Sequence, residues 1–139
     1  MRLTSIALLL VALAGCTPKS GALTPDLTRR FESEGIVRQA DDQVFRYTEG
    51  GGKRGGMWDE GRASIVVTKA TVFLHRGARV MVEITTTNGA DYSVHRDHDR
   101  VAIHTGTGRS AKVWSFRPTD DAEAWAKDMR AVVKGVATE

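Results

Sequence analysis

Five residues in the second half of the chain, His95, Asp97, His98, Asp99 and His104, bear the kinds of side chain that hold zinc. Imidazole nitrogens and carboxylate oxygens are among its usual ligands. Their spacing contains no helical i, i+4 histidine pair. The surrounding residues alternate as strands, with Tyr92 and Val94 facing Val101 and Ile103 across a hairpin that turns near Asp97-His98-Asp99. His95 and His104 then point to the opposite face, where they can approach one another, and His98 sits in the turn. Three ligands do not converge on that geometry without strain. An exposed polar hairpin tip accounts for the same residues, so no metal is assigned to His95, His98 and His104.

A second group of chemically capable residues surrounds the run Glu49-Gly50-Gly51-Gly52-Lys53-Arg54-Gly55-Gly56. Gly50-x-Gly52-x-x-Gly55 has the letters of a dinucleotide-binding turn, but that motif must open a helix, and Gly55-Gly56-Met57-Trp58 has no helical pattern. It is not a phosphate-binding P-loop either, because no Gly-Lys-Ser/Thr ends it. Lys53 and Arg54 on such a loop are candidate anion contacts, and Trp58 at its end is a candidate contact for a partner or a sugar. A solvated loop, with Trp58 tucked on the core edge, is the plainer reading. Arg76 and Arg79 complete the candidate anion set. Asp59, Glu60 and Glu83 show no pairing suited to acid–base work. With no nucleophile elbow, zinc-protease motif or Ser/His/Asp arrangement, the sequence predicts a protein that is not an enzyme and carries no cofactor.

The thiol chemistry lies at the other end. Met1-Arg2 supplies a positive charge, Ile6 to Ala14 is unbroken apolar sequence, and Leu13-Ala14-Gly15-Cys16 follows, with the only cysteine of the chain. A charged start, about 7–15 apolar residues and a small-residue cleavage site make an export signal. The run is too short to span a bilayer, which takes about 20 residues. Leu13-Ala14-Gly15-Cys16 resembles the lipobox of bacterial lipoproteins. That resemblance implies removal of residues 1–15 and acylation of Cys16 with chains such as palmitate. More than one chain is needed for firm anchoring, at about 0.8 kcal/mol for each buried CH₂. Thr17, in place of the aspartate associated with inner-membrane retention, implies the outer membrane, facing the periplasm. Residues 16–23, through Thr17-Pro18-Lys19-Ser20-Gly21, read as a polar tether.

Residues 24–139 are then one globular domain. Of the 139 residues, 124 remain after the signal, a usual single-domain size. The whole chain has 20 basic and 17 acidic residues, and loss of Arg2 leaves 19 against 17. This scattered, weak excess excludes a nucleic-acid stripe but permits mild attraction to anionic envelope components. A lone cysteine allows no internal disulfide, so packing must hold the fold.

Thr24-Pro25-Asp26 predicts a helix start, with the helix running over Pro25–Ser33 and Gly35 ending it. Ile36–Gln39 and Val44–Thr48 read as short strands around an Ala40-Asp41-Asp42 turn. Strands over Ala63–Lys69, Thr71–His75 and Val80–Ile84 follow, then the histidine hairpin, and Arg109–Phe116 as the last strand. Thr119 is the predicted cap of a final helix in which Ala122, Trp125, Met129, Val132 or Val133, and Val136 form an apolar stripe. The class is α+β, mostly β: about six or seven antiparallel strands closed by a C-terminal amphipathic helix.

Gly61 to Lys134 resembles bacterial pleckstrin-homology-like (PH/GRAM-like) domains. The resemblance is carried by Ala63-Ser64-Ile65-Val66-Val67-Thr68-Lys69-Ala70-Thr71-Val72-Phe73-Leu74-His75 and by Phe116-Arg117-Pro118 leading into Asp121-Ala122-Glu123-Ala124-Trp125. It implies a curved barrel with one end plugged by the helix and its tryptophan. A plain antiparallel sheet packed on the helix fits the same pattern. Together these readings lead to an expected function: a membrane-anchored envelope lipoprotein acting as an accessory or adaptor for an envelope protein complex. The alternative is a module that binds an anionic component, such as lipopolysaccharide phosphate or cell-wall polymer.

Overall fold

The computed structural model describes residues 23–50 and 57–135; the expected signal, Cys16 and the Lys53–Arg54 loop lie outside them. Helix α1 (Pro25–Glu34) starts as the sequence predicts. The Leu27 amide donates to Thr24 Oγ1 at 3.3 Å, and Pro25 occupies the first turn. Strands β1 (Ile36–Glu49), β2 (Met57–Thr68), β3 (Thr71–Arg76), β4 (Arg79–Thr85), β5 (Tyr92–Asp97), β6 (Arg100–Thr105) and β7 (Lys112–Phe116) follow, and α2 (Ala122–Lys134) is the last described element. They form one sheet in the order β4-β3-β2-β1-β7-β6-β5, antiparallel at every junction.

The sheet curls because both of its halves must bury apolar faces against one helix. Helix α2 packs chiefly on β5 and also touches β6, β4, β3 and β2. Its stripe of Ala122, Trp125, Ala126, Met129 and Val132 is buried with Phe45, Ile65, Leu74, Ile84, Ile103 and Phe116 from the strands. The Trp125 ring stands edge-on to Phe116 at 5.3 Å, and its Nε1 donates to Asp120 Oδ1 at 2.6 Å. Arg38 of β1 ties the same helix down through Asp128 (2.5 Å) and Asp120 (3.2 Å). The short 3-10 turn Gly89–Asp91 reaches the end of α2 because Gly89 has no Cβ, which would collide there with the Val133 carbonyl. Each sheet edge is fastened as well. Arg130 Nε donates to the Val94 carbonyl on β5, and Asn88 Nδ2 to the Glu83 carbonyl on β4.

Residues 63–68 of β2 and most of β3 are buried on both faces, which explains their nearly continuous apolar sequence. The core covers one face and α1 the other, with Phe31 tilted on Phe73 at 5.1 Å beside Val66. Three expected boundaries are corrected. Ala40-Asp41-Asp42 is not a turn between strands but a bulge inside one long β1. Ala40 pairs with Ile65 and Gln43 with Ala63, so β1 carries one extra residue, accommodated at Asp42 with φ 53°. The Asp42 amide donates to Ser64 Oγ at 3.1 Å. The cap of α2 is Asp121, whose Oδ1 accepts from Glu123 N and Ala124 N, rather than Thr119. The last strand is also shorter than expected, because Gly108–Ser110 forms a 3-10 turn.

Glu34 joins α1 to the sheet. Its carboxylate accepts from Thr68 Oγ1 at 2.7 Å and from Arg30 Nε at 2.9 Å, and Arg30 also reaches Glu83 at 2.8 Å. Burial works to raise the Glu34 pKa, but the hydrogen bonds from Thr68, Arg30 and Thr71 outweigh it and hold the carboxyl below its ordinary value. A depressed carboxyl contributes stability that is present above its unfolded value and lost as pH falls through the folded one. The stability gap between wild type and Glu34→Gln is therefore expected to close below about pH 4. Denaturant titrations at several pH values test this, and a gap that widens on acidification would contradict it.

Candidate binding site at the barrel mouth

Along the strands that line the interior, apolar side chains give way to polar ones toward one end. On β1 the inward succession is Phe45, Tyr47, Glu49, and on β3 it is Val72, Leu74, Arg76. Gly61 of β2 makes room for this change. A Cβ there would overlap the Arg76 guanidinium, which lies across the glycine while its Nε donates to the Arg62 carbonyl at 3.0 Å.

The result is a cavity of about 380 Å³ lined by Tyr47, Glu49, Arg76, Arg79, Val80, Met81, Lys112 and Trp114. Tyr47 and Trp114 face each other from paired positions on β1 and β7, with ring centroids 5.3 Å apart. The Tyr47 hydroxyl donates to Glu49 Oε2 at 2.9 Å. Burial and then this acid push the Tyr47 phenol up, with Arg79 pulling the other way. Arg76 and Arg79 are direct cross-strand partners flanking the tight turn at Gly77. Like charges in that relation disfavour the pairing. Arg79 and Lys112 make no ion pair among the described residues, and Glu49 is the one acid among those lining the cavity.

The structure thus brings two of the expected anion contacts, Arg76 and Arg79, to one mouth. Lys53 and Arg54 lie outside the described residues. Trp58 is on β2, in register with Thr48. Lys112, Tyr47 and Trp114 were not singled out from the sequence. They alternate in and out like core residues, and only the β1–β7 register places them together.

The histidine hairpin folds as expected, with Val94 opposite Ile103. His95 and His104 meet on the outer face, ring centroids 4.6 Å apart and nearly perpendicular at 74°. His98 occupies the turn at φ 55° with Nδ1 2.8 Å from Asp97 Oδ1. Among the described residues no group of three histidines, cysteines or acids is placed to hold a metal ion.

Seven antiparallel strands in this order, closed by a C-terminal helix, make the domain PH-like in fold. The sheet begins at β1, upstream of the segment that carries the sequence resemblance. No family model matches the chain, and no curated protein matches it either. Among solved structures, the PH domain of human pleckstrin homology domain-containing protein family A member 5 aligns at 15% identity. The alignment covers 75% of this chain and 80% of that one, with a TM-score of 0.40. No helix among the described residues is long and apolar enough to cross a membrane.

Proposed function

We propose that this chain is a non-enzymatic binding module, held in the bacterial envelope by acyl chains on Cys16, that takes an anionic envelope component at its barrel mouth. The observation behind the reading is the pair Arg79 and Lys112, cations without ion-pair partners among the described residues, beside Arg76 in one cavity. Phosphate groups of lipopolysaccharide and anionic cell-wall polymers have the charge to suit it. The Tyr47–Trp114 pair offers an aromatic wall for a sugar ring. A tether confines the domain to a thin shell of envelope, which raises its effective concentration toward anything displayed there.

Binding of purified lipopolysaccharide or cell-wall polymer by the full chain is expected to weaken steeply with added salt, as exposed charge contacts do. Arg79→Ala combined with Lys112→Ala should lower affinity at least about tenfold, at about 1 kcal/mol for each exposed charge contact. Unchanged binding in this double variant would remove the mouth from consideration.

A second reading, an adaptor for an envelope protein complex, draws on Val80. It is 50% exposed on the rim beside Met81 and Trp114 and offers an apolar contact to a protein. Crosslinking in intact cells, with Cys16→Ser as the untethered control, separates the two. A single protein retained at high salt and lost in the control supports the adaptor. Retention of lipopolysaccharide or wall polymer at low salt alone supports the binding module.

A further inference from the structure

The outer face of the sheet carries a groove that the mouth does not use. It runs over β1, β7, β6 and β5, has a volume of about 460 Å³, and is lined by Arg46, Thr48, His95, Asp97, Arg100, Ala102, His104, Val113 and Ser115. Strand register explains its shape. Arg46, Ser115, Ala102 and His95 lie in one row across the four strands, so two small side chains form the floor between a guanidinium and an imidazole. Thr48, Val113 and His104 form the next row.

The groove is electropositive and short of acids. Arg100 donates to the Ser115 carbonyl (3.1 Å) and Oγ (3.2 Å) and makes no ion pair among the described residues. Burial, then Arg46 and Arg117, lower its pKa, with Asp99 and Glu60 working the other way. Among the described residues Arg46 pairs only with Glu60, at a loose 3.9 Å. Arg117 is neutralised by Asp99 at 2.7 Å, and Asp97, the one acid lining the groove, lies against His98. His95 Nε2 meets Ser93 Oγ at 2.9 Å. Burial and then His95 hold the His104 pKa below its ordinary value, so the pair enters the neutral range uncharged on the His104 side.

We propose that this outer groove binds a small phosphate monoester, with Arg46 and Arg100 as fixed cations and the His95–His104 pair as hydrogen-bond partners for its oxygens. Arginine pairs well with phosphate oxygens. The volume exceeds a bare phosphate and suits an ester with a short polyol, whose hydroxyls can meet Thr48 and Ser115. A bound phosphate favours the charged form of the His104 imidazole, so its lowered pKa is expected to rise when the groove is filled. The charged groups that face these imidazoles are Asp97 on β5, Arg100 on β6, Arg46 on β1, Glu60 on β2, Arg117 just after β7 and Asp99 in the turn.

Titration of the full chain in detergent with glycerol 3-phosphate, followed through the His95 and His104 imidazole resonances, tests the site. Saturable shifts are expected at about pH 7.5, where the monoester is a dianion, and the His104 titration should move upward on saturation. Arg46→Gln should weaken binding, and His104→Gln, read on the remaining His95 resonance, should weaken it while leaving the fold intact by circular dichroism. A parallel titration with monomeric dihexanoyl phosphatidylglycerol distinguishes a lipid headgroup from a free ester, since only a headgroup site would accept both. Absence of saturable imidazole shifts, or indifference to Arg46→Gln, would overturn the groove. Binding that survives Arg46→Gln but is lost in Arg79→Ala with Lys112→Ala would overturn it while sparing the mouth.

Discussion

Trp125→Ala is expected to destabilise the domain by about 3–5 kcal/mol, the range for removing a large buried aromatic. Trp125 is 3% exposed and sits where the two halves of the sheet converge on α2. Three contacts disappear together: the edge-on packing against Phe116, the hydrogen bond to Asp120, and the guanidinium of Arg38 5.7 Å from the ring centre. Arg38 also holds Asp128, only 15% exposed, so loosening α2 disturbs an ion pair that is partly withdrawn from water. Trp125→Phe keeps most of the apolar area and loses only the donor, and should cost about 1–2 kcal/mol. Equilibrium denaturation of both variants checks the order. Equal losses would mean that the Asp120 bond, and not packing, fixes the helix.

Phe31→Ala is expected to produce a comparably large local effect but a different kind of failure. Phe31 is fully buried, yet it belongs to a small cluster with Val66 and Phe73, separate from the main core. Its removal takes about 3–5 kcal/mol from the docking of α1, more than one short helix can recover from its remaining surface. The loss should therefore appear as release of α1 with the sheet still closed. Hydrogen exchange is the measurement: amides of α1 should lose protection while those of β2, β6 and β7 keep theirs. Uniform loss across all strands would show that α1 and the barrel unfold as one unit.

The sequence conveyed these elements unevenly, for physical reasons. The hairpin of β5 and β6 and the stripe of α2 were readable because each has one wet and one dry face, so periodicity reports burial directly. The same alternation correctly sent His95 and His104 to a shared face. The β1 bulge was misread because Asp41-Asp42 signals a backbone that can turn, and a bulge calls for the same residues. The cap moved from Thr119 to Asp121 because several adjacent residues can accept from a helix start. Tertiary contacts engage Asp120 with Trp125 and Arg38, which leaves Asp121 to cap. The mouth was half legible. Arg76 and Arg79 stood out as charges beside a turn, whereas Lys112 reaches them only through a pairing between strands more than sixty residues apart in sequence.

The ties at the two sheet margins, Arg130 to Val94 and Asn88 to Glu83, bear on crowding. An open margin is a template on which a second chain can add a strand and begin to polymerise. Here a side chain already occupies a carbonyl on each margin, and α2 lies over β5. Copies concentrated on a single surface would therefore find little purchase for zipping together, and the domain can be displayed densely without seeding fibres.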